Sequence, residues 1–208
     1  MRLPAAFLLL WLLTWNAPAQ TKRLVILGDS IAAGYGLDSD EAYPALLQKK
    51  IEDANLPFTV INAGLSGDTT AGGLRRIDWI LKQPIDILLI ELGGNDGLRG
   101  IPVSETRTNL QGIIDRAKAK YSSVRIIIAG MKMPANMGLD YTGQFEKVFP
   151  EIAAKNHAIL IPFLLENVGG KPELNQPDHI HPTSQGHQIV AQNIWPLLEP
   201  LLRASANP

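Results

Sequence analysis

The feature that most constrains the fold is an alternation along the chain. Short runs that are apolar and rich in β-branched residues occur at residues 24–27, 58–61, 85–92, 125–129 and 158–163. Between and after them lie segments whose apolar residues recur at helical spacing: 43–54, 70–82, 104–120, 142–156 and 183–202. Leu47, Ile51 and Ala54 form one such stripe, with Pro44 tolerated in the first turn. Leu74, Ile77 and Leu81 form the next. Leu110, Ile113, Ile114 and Ala117 form a third, behind Ser104 as the expected N-cap. A strand that is apolar throughout needs cover on both faces, which is the condition of a parallel sheet under helices. The β-α-β order agrees. The sequence therefore predicts an α/β domain with a five-stranded parallel sheet, helices on both faces and right-handed connections.

Composition supports a full core. The chain has 208 residues, 46% hydrophobic and 19% charged, which is not the make-up of a disordered protein. Net charge is −1, with no excess of Lys and Arg, so a phosphate-backbone partner is not expected. Cysteine is absent. That excludes a disulfide scaffold, a thiolate nucleophile and a Cys-bound zinc or iron–sulfur centre.

Residues 1–19 read differently from the rest. Arg2 precedes an apolar stretch at 5–15, and Ala17-Pro18-Ala19 supplies small residues at the cleavage spacing. This is the pattern of a secretory signal peptide, with cleavage expected after Ala19. The apolar stretch is shorter than the roughly 20 residues a spanning helix needs. An uncleaved anchor is the competing reading. A single domain over 20–208 follows, expected as a monomer in the periplasm or outside the cell, with no stable membrane insertion.

In a parallel α/β sheet, ligands bind at the carboxyl ends of the strands. There the chain places Gly28-Asp29-Ser30, Asn62 to Thr69, Gly93-Gly94-Asn95-Asp96, and, after the last run, Asp178-His179-Ile180-His181. Each has a plain alternative: Ser30 and Asp29 as helix caps, Asn95 as a turn residue, His181 as a surface histidine. Together they make a coherent chemistry. A serine hydroxyl needs an adjacent base, and the base needs an orienting carboxylate. Asp178 lies three residues before His181 on one loop, so it can hold one ring nitrogen while the other faces Ser30. Developing negative charge needs fixed donors. The Gly67 N–H, the Asn95 amide and the Ser30 N–H are the candidates. Metal binding by Asp178, His179 and His181, with help from His187, is the rival arrangement. His157, beside Asn156 near a helix end, reads as a solvated cap. Leu98, Ile101, Met133 and Met137, with Pro102 and Pro134, lie on loops able to wall an acyl groove or simply to pack on the core. Dinucleotide, P-loop and zinc-protease motifs are absent.

These blocks resemble the SGNH hydrolases, the GDSL lipase/esterase family, and most of all its periplasmic thioesterase I/lysophospholipase and arylesterase branch. ILGDSIAAGYG, NAGLSGDT, ELGGNDGLRG and DHIHP carry the likeness in order over most of residues 23–182. Ile31 stands where the family's usual motif has leucine. The resemblance implies a flavodoxin-like three-layer α/β/α fold, no cofactor and no metal. It implies Ser30 as nucleophile, His181 and Asp178 as its activating pair, and Ser30, Gly67 and Asn95 as the oxyanion hole. The implied partner is a small acyl ester or thioester. A carbohydrate O-deacetylase with the same residues, and a periplasmic binding module without turnover, are the other function classes. With 6% aromatic residues the chain offers no evident sugar-stacking platform.

Overall fold

A computed structural model describes residues 21–206. The segment read as a signal peptide lies outside the described residues. In chain order the elements are β1 (Lys22–Gly28), α1 (Ser30–Ala33), α2 (Tyr43–Asp53), β2 (Phe58–Gly64), α3 (Thr70–Ile80), β3 (Ile87–Glu91), α4 (Gly94–Leu98), α5 (Val103–Lys120), β4 (Arg125–Ala129), α6 (Leu139–Asn156), β5 (Ile159–Ile161) and α7 (Ser184–Ala206). The five strands form one sheet in the order β2-β1-β3-β4-β5. Every pairing is parallel, as the apolar runs require.

Leu24 to Leu27 of β1 and all of β3 are buried, so both faces of the central sheet are covered. One layer is the row α3, α5 and α6, and α2 packs against α7. The edge strands depart from the expectation of two-sided burial. On the edge strand β2, Ile61 is 41% exposed.

Boundaries shift where local chemistry intervenes. β5 is shorter than the apolar run at 158–163, because Pro162 has no N–H for the ladder. Ile85 and Leu92 flank β3 as buried residues outside it. The expected Ser104 cap is not one. α5 begins at Val103 behind Pro102, whose fixed φ of −52° leads into the helix, and no side chain caps it. α7 runs to Ala206 through Pro196 and Pro200, since Leu198, Leu201 and Leu202 bury themselves against the core. His157 is exposed and ends α6 in the left-handed conformation, φ 53°.

The topology makes one place special. β1 lies between β2 and β3, so its two neighbours continue the chain in opposite directions across the sheet. The gap beyond the carboxyl ends of β1 and β3 is the switch point where such sheets take ligands. Gly28, Gly64 and Glu91 stand level there. Gly64 packs so closely on the backbone of Ala32 and Ala33 that a Cβ would collide with it.

His187 of α7 belongs to this scaffold. It is buried, and its Nδ1 accepts the N–H of Tyr43 at 3.1 Å, in the first turn of α2, which lacks a side-chain cap. Burial lowers its pKa from 6.5 to about 4. The folded state thus resists a proton that the unfolded chain accepts. The contribution of His187 is complete above pH 6.5 and is lost as pH falls from 6.5 to about 4, amounting to about 3 kcal/mol. Melting curves between pH 7 and 4 test this. His187→Gln is expected to flatten the acid fall in Tm, and two parallel curves would exclude the assignment.

Candidate active site

The first strand delivers Ser30 through a tight turn. Asp29 is the N-cap of α1, its Oδ1 accepting the Ile31 N–H at 3.0 Å. Ser30 is therefore not the cap but the first residue of a one-turn helix that Gly34 closes at φ 72°. The amides of this turn are spoken for, save one. Asp29 N and Ala32 N donate to Glu91 Oε2, Ile31 N to Asp29 Oδ1 and Ala33 N to the Asp29 carbonyl. The Ser30 N–H has no acceptor among the described residues.

The last loop meets this turn from above. His181 Nε2 lies 2.9 Å from Ser30 Oγ, and His181 Nδ1 lies 2.7 Å from Asp178 Oδ2. The other Asp178 oxygen accepts the N–H groups of Ile180 at 2.9 Å and His181 at 3.0 Å. The His181 backbone N–H leads the causes that hold this carboxyl at about 2, well below its usual 3.8, so it remains ionised at any pH near neutral. Gln176 fastens the loop. Its Nε2 donates to Tyr35 O at 2.7 Å and Pro182 O at 3.1 Å, and its N–H donates to His181 O at 2.7 Å. The Tyr35 ring lies against the imidazole, centroids 4.5 Å apart.

The middle loops are tied to the same turn. Leu65 N and Arg76 Nη2 both donate to the Gly28 carbonyl at 3.0 Å. Arg76 also pairs with Asp68 at 2.7 Å. Gly67 stands beyond at φ 80°, its carbonyl taking Arg99 Nη2 at 3.0 Å. Asn95 lies in the first turn of α4 rather than in a β-turn, and its Nδ2 donates to Asp29 Oδ2 at 3.3 Å. Its neighbour Asp96 is fully buried and binds the Thr70 N–H at 2.8 Å, the Thr70 hydroxyl and the Thr106 hydroxyl, joining the second and third loops.

An apolar cleft of about 360 Å³ reaches Ile31 and Gly94, the chain neighbours of Ser30 and Asn95, and is walled further by Leu98, Met133, Pro134, Phe163 and Ile180. Leu98 and Met133 line this cleft. Ile101 and Met137 are not on its wall. The Ile101 carbonyl instead accepts the Tyr141 hydroxyl at 2.8 Å, and Met137 ends a short 3-10 turn, Ala135–Met137. His179 reaches the rim in a left-handed conformation, φ 60°, while His187 is committed to Tyr43. No group of three or more His, Asp or Glu among the described residues is placed to hold a metal ion.

Sequence reading missed the bracing residues Gln176, Arg76 and Thr70, which have no local signature, and gave no bracing role to Asp68 and Asp96 within the strand-end blocks. Glu91 did leave a trace, as a charge at the end of an apolar run.

The chain is similar to known proteins. The model of the GDSL-like Lipase/Acylhydrolase family matches residues 26–189. The chain is 41% identical to Esterase TesA of Pseudomonas aeruginosa over 196 residues, covering 94% of this chain and 96% of that one. It is 39% identical over 197 residues to Thioesterase 1/protease 1/lysophospholipase L1 of Escherichia coli K12, covering 94% and 92%. Among solved structures, the psychrotrophic esterase EstA from Pseudoalteromonas sp. superposes with a TM-score of 0.82 at 33% identity, covering 88% of this chain and 99% of that one. With a fold and nearly the whole chain length in common with these relatives, the chain belongs to the GDSL-like lipase/acylhydrolase family and is a GDSL-type hydrolase.

Proposed function

We propose that the protein hydrolyses carboxylic esters and thioesters of acyl chains, lysophospholipids among them, through an acyl-enzyme on Ser30. The carrying observation is the unbroken line Asp178–His181–Ser30, whose chain neighbours Ile31, His179 and Ile180 line an apolar cleft. The names of the esterase and thioesterase/lysophospholipase relatives support the substrate class. Ser30 Oγ attacks the ester carbonyl while His181 Nε2 takes its proton. Asp178 keeps the imidazole oriented and stabilises its positive charge. The carbonyl oxygen becomes an oxyanion, received by the free Ser30 N–H with the Gly67 N–H and the Asn95 amide. His181 returns the proton to the departing alcohol or thiol. Water then attacks the acyl-serine by the same route and restores Ser30.

The cleft walls are mainly aliphatic and thioether, which suits an acyl chain and offers few hydrogen bonds to a sugar. That ranks carbohydrate deacetylation lower. A binding module without turnover gives no reason for the Ser30–His181–Asp178 alignment. The same proposal has residues 1–19 acting as an export signal and the mature enzyme working as a monomer in the periplasm or outside the cell. No helix of the described residues is long and apolar enough to cross a membrane.

Ser30→Ala is expected to lower kcat by about 10⁴-fold or more with an unchanged melting temperature. A fluorophosphonate should label the wild type at Ser30 and leave this variant unlabelled. Near-normal turnover, or labelling elsewhere, overturns the nucleophile assignment.

The two histidines of the loop separate base from bystander. His181→Ala should lose several orders of magnitude in kcat, and His179→Ala far less, with EDTA leaving both the variants and the wild type unaffected. The reverse ranking would transfer the role to His179. Inhibition by EDTA that zinc restores would favour a metal.

Asn95→Asp replaces an amide donor by a group that only accepts when ionised. It also sets a charge against the oxyanion. Steady-state kinetics on a soluble short-chain ester should show kcat reduced by about 10²–10³-fold, with little rise in KM. Turnover within threefold of wild type would leave the Ser30 and Gly67 amides as the whole oxyanion hole.

A further inference from the structure

The chemistry above leaves Glu91 unused, although it lies against the nucleophile's turn. It ends β3 level with Gly28 and is fully buried, in a strand otherwise made of Ile and Leu. Its Oε2 accepts the N–H groups of Asp29 and Ala32, each at 3.2 Å, on either side of Ser30. Gly28 makes this approach possible, since a Cβ there would collide with Oε2. Its Oε1 has no donor among the described residues.

The neighbouring carboxyl is that of Asp29, itself only 2% exposed. Two carboxyls buried this deeply, one of them accepting the other residue's backbone N–H, cannot both be ionised without a large penalty. The surroundings decide which one holds a proton. Burial first, then the charge of Asp29, pushes Glu91 well above the usual carboxylate range. Burial also raises Asp29, but the Ile31 N–H, the Glu91 hydrogen bond, His181 and Asn95 all favour its charged form. The other ionisable groups nearby are the buried Tyr43 hydroxyl from α2, which stays neutral, and Arg76 from α3, which is engaged by Asp68 and the Gly28 carbonyl. The proton therefore sits on Glu91 and the single charge on Asp29. That charge holds one Asn95 N–H, which leaves the other free for substrate.

We propose that Glu91 is a positioning residue: as a neutral acid it donates to Asp29, so that Asp29 aims the Asn95 amide while Glu91 Oε2 fixes the amides flanking Ser30. This rests on the serine reading of the site. Glu91→Gln keeps both an acceptor for the two amides and an N–H for Asp29, whereas Glu91→Leu keeps neither at similar size.

The test combines kinetics with infrared spectroscopy on the whole enzyme. On a short-chain ester, Glu91→Leu should lower kcat by about 10- to 100-fold with KM within about twofold. Glu91→Gln should recover kcat to within about threefold of wild type. The wild-type-minus-Gln infrared difference spectrum at neutral pH should contain the carbonyl stretch of a protonated carboxylic acid. A Gln variant as impaired as Leu, a missing acid band, or a loss confined to KM overturns the proposal. If the Leu variant melts below the assay temperature, the Gln variant and the band decide the matter alone. Failure of the serine reading shows separately, as an active Ser30→Ala enzyme, whatever the Glu91 variants do.

Discussion

The parallel pairing of β1 between β2 and β3 is the constraint on which the site rests. Its register sets Gly28 level with Gly64 on one side and Glu91 on the other. The three strands therefore release their chains at one height, and the loops bearing Ser30, Gly67 and Asn95 leave the sheet as neighbours. Both outer positions need Gly28 or Gly64 to lack a side chain, because α1 and the Glu91 carboxyl occupy the space a Cβ would take. A slip of one residue would move every buried side chain to the other face and separate these loops.

Cross-ties convert neighbouring loops into a fixed constellation. The Gly28 carbonyl takes Leu65 and Arg76, Asp96 joins Thr70 to the third loop, and Gln176 binds the histidine loop to the chain after α1. These partners come from different elements, and the Asp96–Thr70 tie is shielded from water, where a hydrogen bond is stronger and an unpaired polar group costs more. Ser30 and His181 are then free of scaffold duty. Ser30 keeps its backbone N–H, and His181 gives both ring nitrogens to the line between Asp178 and Ser30.

Three carboxyls near one serine end in different states. Asp178 lies toward solvent and accepts hydrogen bonds from its own loop, which hold it ionised. Asp29 and Glu91 are enclosed, and burial drives both upward. The same functional group is thus held as a charge beside the histidine and, further in, is pushed toward its neutral form by burial. Environment makes the distinction, not residue type.

Much of this was legible in the sequence. Continuous apolar runs at strand length forced a covered parallel sheet, and strand ends rich in Gly, Asp, Ser and Asn marked the edge where chemistry belongs. The offset between Asp178 and His181 is local, so their pairing could be read from spacing. The bracing was not legible. Gln176 and Tyr35 are 141 positions apart, Asp29 and Glu91 are 62 apart, and His187 reaches Tyr43 from 144 positions away. Nor could loop residues be sorted into those that wall the cleft and those that pack elsewhere, as Ile101 and Met137 show. Ser104 looked like a cap because its residue type suits one, yet Pro102 sets the helix start. Residue type and periodicity determine which elements form and which residues stand at the strand ends, because those follow from interactions between near neighbours in the chain. Which buried groups share a proton, which amides stay free and which side chains meet the substrate are decided only by the fold. Those properties depend on what distant segments bring within a few ångströms, and on how much water they exclude.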